Sequence, residues 1–275
     1  MVIFPNAKIN LGLQITGKRT NGYHTLETLF YPIPLEDALE ILPNTHKEVG
    51  DIFSIAGTTP DCSLEENLVT TALSLMRKKT DIPPVKIALY KNIPMGAGMG
   101  GGSADAAFTL KLLRDMFAPR MEEDVLFEMA LQLGADCPFF LYNKPCLGRG
   151  IGEKLTPLDD ISLAGYHIAV VKPEISISTA EAFRGLKHIG EHSQPLSSLI
   201  RKPLPEWHGL ISNDFEESLF PEYPRLKELK QLLYNQGAVY ASMTGSGSAL
   251  YGLFREKPVL AKNLFNDCFL WQTAL

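Results

Sequence analysis

No stretch of the 275 residues reaches the ~20 consecutive apolar positions that a bilayer-spanning helix requires. The N-terminus, Met1 to Lys8, lacks a basic start followed by a long apolar run, so neither a membrane span nor an export signal is expected. Cysteine is scarce. Cys62, Cys137, Cys146 and Cys268 form no C-x-x-C pair and no zinc-type Cys/His spacing, which leaves them as scattered thiols of a reducing compartment. Positive charge is not in excess either, with 26 Lys plus Arg against 31 Asp plus Glu, a formal net charge of -5, and no block of like charge. A broad basic face for nucleic acid is thereby excluded. Repeats and low-complexity segments are absent. The expectations are a cytoplasmic protein with a small-molecule substrate, no nucleic acid, no membrane and no obligate protein partner.

The remaining composition, 45% hydrophobic and 21% charged, is that of an ordinary globular protein. The length favours two packed domains, with the Thr156 to Asp160 segment as the linker, hence residues 1–158 and 159–275. An acidic protein that binds phosphate must concentrate positive potential locally, from backbone N–H groups, helix N-termini and a few lysines.

From Ala7 to Thr16 the chain alternates, with Ala7, Ile9, Leu11, Leu13 and Ile15 on one face and Lys8, Asn10, Gly12, Gln14 and Thr16 on the other. This predicts a half-buried strand with Lys8 and Asn10 side by side on its polar face. Asn21-Gly22 signals a turn before a second extended segment from Tyr23 to Phe30. Ser63 to Glu66 fits a capping box ahead of a helix, and Val85, Ile87 and Leu89 fit a strand. Helices are expected from Ala104 to Phe117 and from Glu122 to Leu133, the latter stopped by Gly134. Further on come a strand from Tyr166 to Val171, a capping box from Ser178 to Glu181 and a helix from Leu226 to Tyr234. Strands from Ala238 to Ala241 and Ala249 to Phe254 and a final helix from Val259 to Phe269 complete the reading. The mixed order argues for the α+β class.

The run Pro94-Met95-Gly96-Ala97-Gly98-Met99-Gly100-Gly101-Gly102-Ser103-Ala104 lies between a strand and a helix. Its glycines let successive backbone N–H groups close on an anion, and the helix start adds unpaired N–H groups and the positive end of its dipole. Gly96, Gly98 and Gly101 satisfy G-x-G-x-x-G, but a dinucleotide fold needs a second strand after the helix, where here a second helix follows. No Gly-Lys-Ser/Thr closes the run as in a Walker loop, and no H-R-D or D-F-G follows as in a protein kinase. What remains is a phosphate loop closed by Ser103, whose hydroxyl is placed to reach a phosphate-bound Mg²⁺.

This run resembles the central Pro-x-x-x-Gly-Leu-Gly-Ser-Ser-x-Ala motif of the GHMP kinases. Pro5 to Leu11 followed by Asn21 to His24 is similar to the N-terminal signature of the branch acting on a cytidine-diphosphate-linked methylerythritol. Leu133 to Phe139 resembles that branch's catalytic aspartate motif, and Met243 to Ser248 its third, glycine-rich motif. The likeness spans nearly the whole chain in order, with Asn6 and Ala97 as its modest departures. It implies a domain like ribosomal protein S5 domain 2, a ferredoxin-like C-terminal domain and a cleft between them. The implied reaction transfers the γ-phosphoryl group of ATP, with Mg²⁺, to the 2-hydroxyl of the cytidyl substrate, on the non-mevalonate route to isoprenoids.

By that resemblance Asp136 takes the hydroxyl proton, while Lys8 keeps it ionised and stabilises the developing alkoxide. Read alone, Asp136 is a helix cap and Lys8 a solvated strand lysine. Asn10 orients substrate or phosphate. Tyr23, His24 and Phe183 form a cytidine pocket, with Phe30 and Thr179 at further pocket positions. Asn67 and Lys91 contact the ATP base or ribose, and Gly245, Ser246 and Gly247 close over phosphate or substrate. The rivals are a GHMP kinase for homoserine, mevalonate or a sugar, a silent GHMP fold that senses ligand, and a nicotinamide-dependent oxidoreductase built on G-x-G-x-x-G.

Overall fold

A computed structural model describes residues 1–20, 22–45, 50–58, 63–187 and 189–275. Asn21 of the expected turn and Cys62 lie outside the described residues. The elements run β1 (Val2–Ile3), β2 (Asn6–Lys18), β3 (His24–Glu36), β4 (Ala38–Pro43), β5 (Ile52–Gly57), α1 (Leu68–Arg77), β6 (Val85–Lys91), α2 (Gly101–Phe117), α3 (Glu123–Leu133) and α4 (Cys137–Tyr142). They continue with β7 (Cys146–Gly150), β8 (Lys154–Pro157), β9 (His167–Pro173), α5 (Thr179–Arg184), α6 (Leu196–Leu199), α7 (Phe215–Glu222), α8 (Pro224–Asn235), β10 (Tyr240–Met243), β11 (Leu250–Phe254) and β12 (Cys268–Ala274). The α+β class is as expected.

The chain gathers into two compact units. The first comprises Met1–Ala7, Leu35–Met95 and Gly100–Asn143, and the second Lys8–Pro34, Gly96–Met99 and Lys144–Leu275. The 158/159 point lies inside the second unit, where Thr156 and Pro157 end β8 on the β7 edge.

In the first unit the sheet order is β1-β4-β6-β5, with β5 parallel to β6. A parallel pair needs a crossover, and α1 supplies it. The helix buries Val69, Ala72, Leu73 and Met76 at helical spacing. It begins at Leu68, later than the Ser63 box implies. Ser63 and Glu66 do exchange capping bonds, but Asn67 caps the helix itself, its side chain accepting from Val69 N at 2.9 Å. Helix α2 is buried over most of its circumference, from Ala104 to Leu113, against α1, α3 and α4. Its small residues Ala104, Ala106 and Ala107 let α4 approach, which brings the Asp136 segment toward the α2 N-terminus.

In the second unit the antiparallel sheet runs β10-β11-β9-β12. Counted from β9, that is the 4-1-3-2 strand order of a ferredoxin-like sheet, without the second α-helix of the full β-α-β-β-α-β plan among the described residues. The core joins β9, β10 and β11 to Leu226, Leu229 and Leu233 of α8 and to Leu13 and Ile15 of β2. The final helix expected from Val259 to Phe269 does not form. Only a 3₁₀ turn at Lys262–Leu264 occupies that connection, and the following residues extend as β12, paired from Cys268↔Pro173 to Ala274↔His167. Phe269, Leu270, Trp271 and Thr273 favour a strand once a ladder is on offer. Strand β2 also departs from its expected half-burial. Lys8, Asn10 and Gln14 are as buried as the apolar face, so the polar side chains of β2 must find partners inside the protein.

Candidate active site

The glycine run alternates in conformation. Gly96, Gly98 and Gly100 have φ of 58°, 71° and 70°, while Ala97 and Met99 between them are buried. Apolar side chains anchor the loop at every second residue, and glycine alone takes the left-handed positions without strain. Ala97, read as an interruption of the glycines, is one of these anchors. Residues 96–99 pack within the second unit, where Ser248 N and Ala249 N donate to Gly96 O and Ala97 O, each at 3.3 Å. A Cβ on Gly98 would fall inside the carbonyl oxygen of Thr244, and one on Gly245 would lie 2.9 Å from Gly98 O. The central and third glycine motifs therefore touch backbone to backbone.

In the first unit, α2 begins at Gly101 with Gly100 as a cap that offers no side-chain hydrogen bond. Its first-turn N–H groups remain for an anion. Ser103, half-buried in that turn, is engaged by the Cys137 thiol. Burial, opposed by that hydrogen bond, pushes the thiol up to about 12. Its neighbour Asp136 stands at the cap position of α4 and makes no capping bond to its own helix. Among the described residues no cluster of three or more His, Cys, Asp or Glu is placed to hold a metal ion.

Lys91 and Asn67, expected at the ATP base or ribose, also make bonds within the first unit. The Asn67 side-chain oxygen Oδ1 caps α1. The Lys91 ammonium pairs with Asp37 and, at 2.6 Å, with Asp105, all three side chains being buried. Asp37 also accepts from Asn92 N and Ile93 N, at 2.5 and 2.8 Å. The triad thus braces both the entry to the glycine run and the α2 turn that leaves it. Burial pushes Asp105 up to about 8, with Lys91 opposing and Asp37 adding to the rise. Nothing local in the sequence pointed to Asp37 or Asp105.

Lys8 and Asn10 meet as the strand period requires, Lys8 Nζ donating to Asn10 Oδ1 at 2.7 Å. The ammonium stands 5.2 Å over the ring of Phe30. Phe30 is buried, and a side chain at Gly148 would strike it. Asn10 is held on every side. Its Nδ2 donates to Thr28 Oγ1 at 2.9 Å, its N–H to Thr244 Oγ1 at 3.1 Å, and its carbonyl accepts from Tyr251 Oη at 2.8 Å. Thr28, Thr244 and Tyr251 went unremarked in the sequence, though Thr244 sits inside the third glycine motif.

The expected cytidine residues also assemble within the second unit. The His24 ring lies flat on Phe183, with centroids 4.9 Å apart and planes at 12°, and Phe183 rests edge-on against Phe215. The ring nitrogens of His24 therefore project from the rim of a two-ring stack. Burial first, then the Lys18 charge, holds its pKa below the ordinary value, which favours neutral imidazole. Tyr23 next to it is exposed. Ser178 caps α5 as its box predicts, accepting from Glu181 N at 3.1 Å, and so sets the helix that carries Thr179 and Phe183. Thr179 Oγ1 lies 3.4 Å from Ser246 Oγ, which joins the pocket to the third glycine motif. Asn213 secures that motif from beneath, its Nδ2 donating to Met243 O and Gly245 O at 2.9 and 2.8 Å.

Comparison with known proteins adds independent findings. The GHMP kinase N-terminal domain family model matches residues 67–144, and the GHMP kinase C-terminal one residues 196–266. A 4-diphosphocytidyl-2-C-methyl-D-erythritol kinase of Porphyromonas gingivalis is 54% identical over 275 residues, covering all of both chains. The crystal structure of a 4-(cytidine 5'-diphospho)-2C-methyl-D-erythritol kinase superposes with a TM-score of 0.82 at 33% identity, covering 99% of this chain and 98% of that one. The mevalonate kinase of Methanococcus jannaschii, with a TM-score of 0.74 at 16% identity over 100% and 98% of the two chains, shares the fold.

Proposed function

The chain belongs to the 4-diphosphocytidyl-2-C-methyl-D-erythritol kinases of the GHMP superfamily, and on that premise we propose how its residues perform the reaction. It is an ATP-dependent small-molecule kinase that phosphorylates the 2-hydroxyl of 4-diphosphocytidyl-2-C-methyl-D-erythritol, on the non-mevalonate route to isoprenoid precursors. The full-length 54% identity to a kinase of that name carries this reading.

Asp136 accepts the proton of the attacking hydroxyl, and Lys8 stabilises the oxygen as negative charge builds. Phosphoryl transfer depends mainly on positioning and charge stabilisation, so an ordinary carboxylate in place suffices as base. Asn10 serves by holding Lys8. Residues Pro94 to Ala104 wrap the triphosphate, with N–H groups of the α2 start as donors. Mg²⁺ would be held with the phosphates by Ser103 and would neutralise charge on the transferred group. Asn67 contacts the base or ribose of ATP from the start of α1, and Lys91 serves the nucleotide through the loop that it braces with Asp37 and Asp105. Tyr23, His24, Phe183 and Thr179 recognise the cytidine, Phe30 supports Lys8 from below, and Gly245, Ser246 and Gly247 close over the phosphates.

We further propose residues 1–158 and 159–275 as the two sequence domains, and the cytoplasm as the site of action, where the free thiols Cys137, Cys146 and Cys268 are at home. Mass spectrometry of the product after incubation with ATP and the cytidyl alcohol tests the reading. One added phosphate on the methylerythritol moiety supports it, and an unchanged alcohol refutes it.

A further inference from the structure

Resting on the assignment of Lys8 to the reaction, we propose that Thr244 is a positioning residue, whose hydroxyl knots the strand carrying Lys8 to the phosphate-binding glycine run. Thr244 is fully buried. Its Oγ1 accepts from Asn10 N at 3.1 Å and lies 3.1 Å from Asn10 Oδ1 and 3.2 Å from Gly98 O, the two acceptors that share its proton. One hydroxyl thus satisfies both the N–H and the side-chain oxygen of the residue that holds the Lys8 ammonium. The same hydroxyl meets the carbonyl of the glycine at the centre of the run.

The threonine is itself fixed. Its N–H donates to Ala249 O at 3.0 Å, and its carbonyl accepts from Gly247 N at 3.0 Å. Asn213 holds the carbonyls of Met243 and Gly245 on either side. The backbone of residues 212–214 in turn clasps β2, with Leu13 N donating to Ser212 O at 3.0 Å and Asp214 N to Leu13 O at 2.9 Å. Three segments distant in sequence, β2, the central glycine run and the third glycine motif, meet at Thr244 Oγ1. A hydroxyl is the group the place requires. Valine would fill the same volume but leave Asn10 N–H and Gly98 O buried without that partner, and the Asn10 side chain would lose the anchor that fixes where Lys8 points. Misplacement of a catalytic group by about 1 Å costs on the order of 10²-fold in rate.

The test compares Thr244→Val, Thr244→Ser and, in parallel, Lys8→Met. Steady-state kinetics with ATP and the cytidyl alcohol are normalised to nucleotide-binding sites, so that unfolded protein does not count. Thr244→Val is expected to lower kcat by roughly 10–100-fold while leaving both KM values within about threefold, and Thr244→Ser to restore kcat. Should the valine variant fail to fold, Thr244→Ala takes its place with the same expectation. If Lys8→Met loses turnover while the Thr244 variant keeps wild-type kcat, the inference is overturned and the active-site reading stands. If Lys8→Met itself keeps turnover, the active-site reading falls and carries the inference with it. A serine variant as slow as the valine one also overturns the proposal, because a hydroxyl would then not be what matters.

Discussion

Lys8 Nζ lies 2.7 Å from Asn10 Oδ1, two residues along one strand, at a place where both side chains are buried. An ammonium removed from water is worth its desolvation where it meets developing negative charge. Lys8→Met is therefore expected to keep nucleotide binding and to lose about 10²–10³-fold in kcat, the usual span for removing one charge-stabilising donor. Stopped-assay turnover beside a nucleotide-binding titration checks both halves.

Asp136→Asn conserves the volume and shape of the side chain, so the fold is expected to survive. Turnover should fall by ~10²–10⁴-fold, as for loss of a positioned base. Equal turnover in the two proteins would remove Asp136 from proton transfer.

Phe183→Ala removes the ring on which His24 is stacked. Stacking on an aromatic face is worth ~1–3 kcal/mol per base. The KM for the cytidyl substrate is expected to rise roughly 5- to 150-fold with the KM for ATP unchanged; a parallel rise in both would contradict a cytidine pocket.

Burial and the Asp37 charge outweigh the attraction of Lys91 and push the Asp105 carboxyl from its ordinary 3.8 up to about 8. A folded value above the unfolded one means stability that is fully present below about pH 4 and lost progressively as pH climbs through 8. Denaturant melts across pH 4–9 should show that decline, and Asp105→Asn should flatten it. A stability difference between wild type and Asp105→Asn that moves in favour of wild type as pH rises would contradict the assigned direction.

Much of the site was legible because its signals are local. A period of two put Lys8 beside Asn10, a capping box set α5 with Thr179 and Phe183, and glycine spacing marked the loop. What escaped was made by distant partners. Asp37 and Asp105 stand 54 and 14 residues from Lys91, and Thr244 is 234 residues from Asn10, so no window along the chain contains either cluster. The stretch after Val259 reads as a helix in isolation, but β9 offers a free edge and Phe269 to Thr273 pair with it. Burial of the polar face of β2 likewise depends on packing against other segments, which periodicity alone does not report.

ADP release measured with three acceptors in parallel, the cytidyl methylerythritol, homoserine and mevalonate, tests the central claim most directly. The account predicts stoichiometric ADP formation with the first and only background with the other two. Background with the cytidyl alcohol, or turnover with homoserine or mevalonate to match it, would contradict the account.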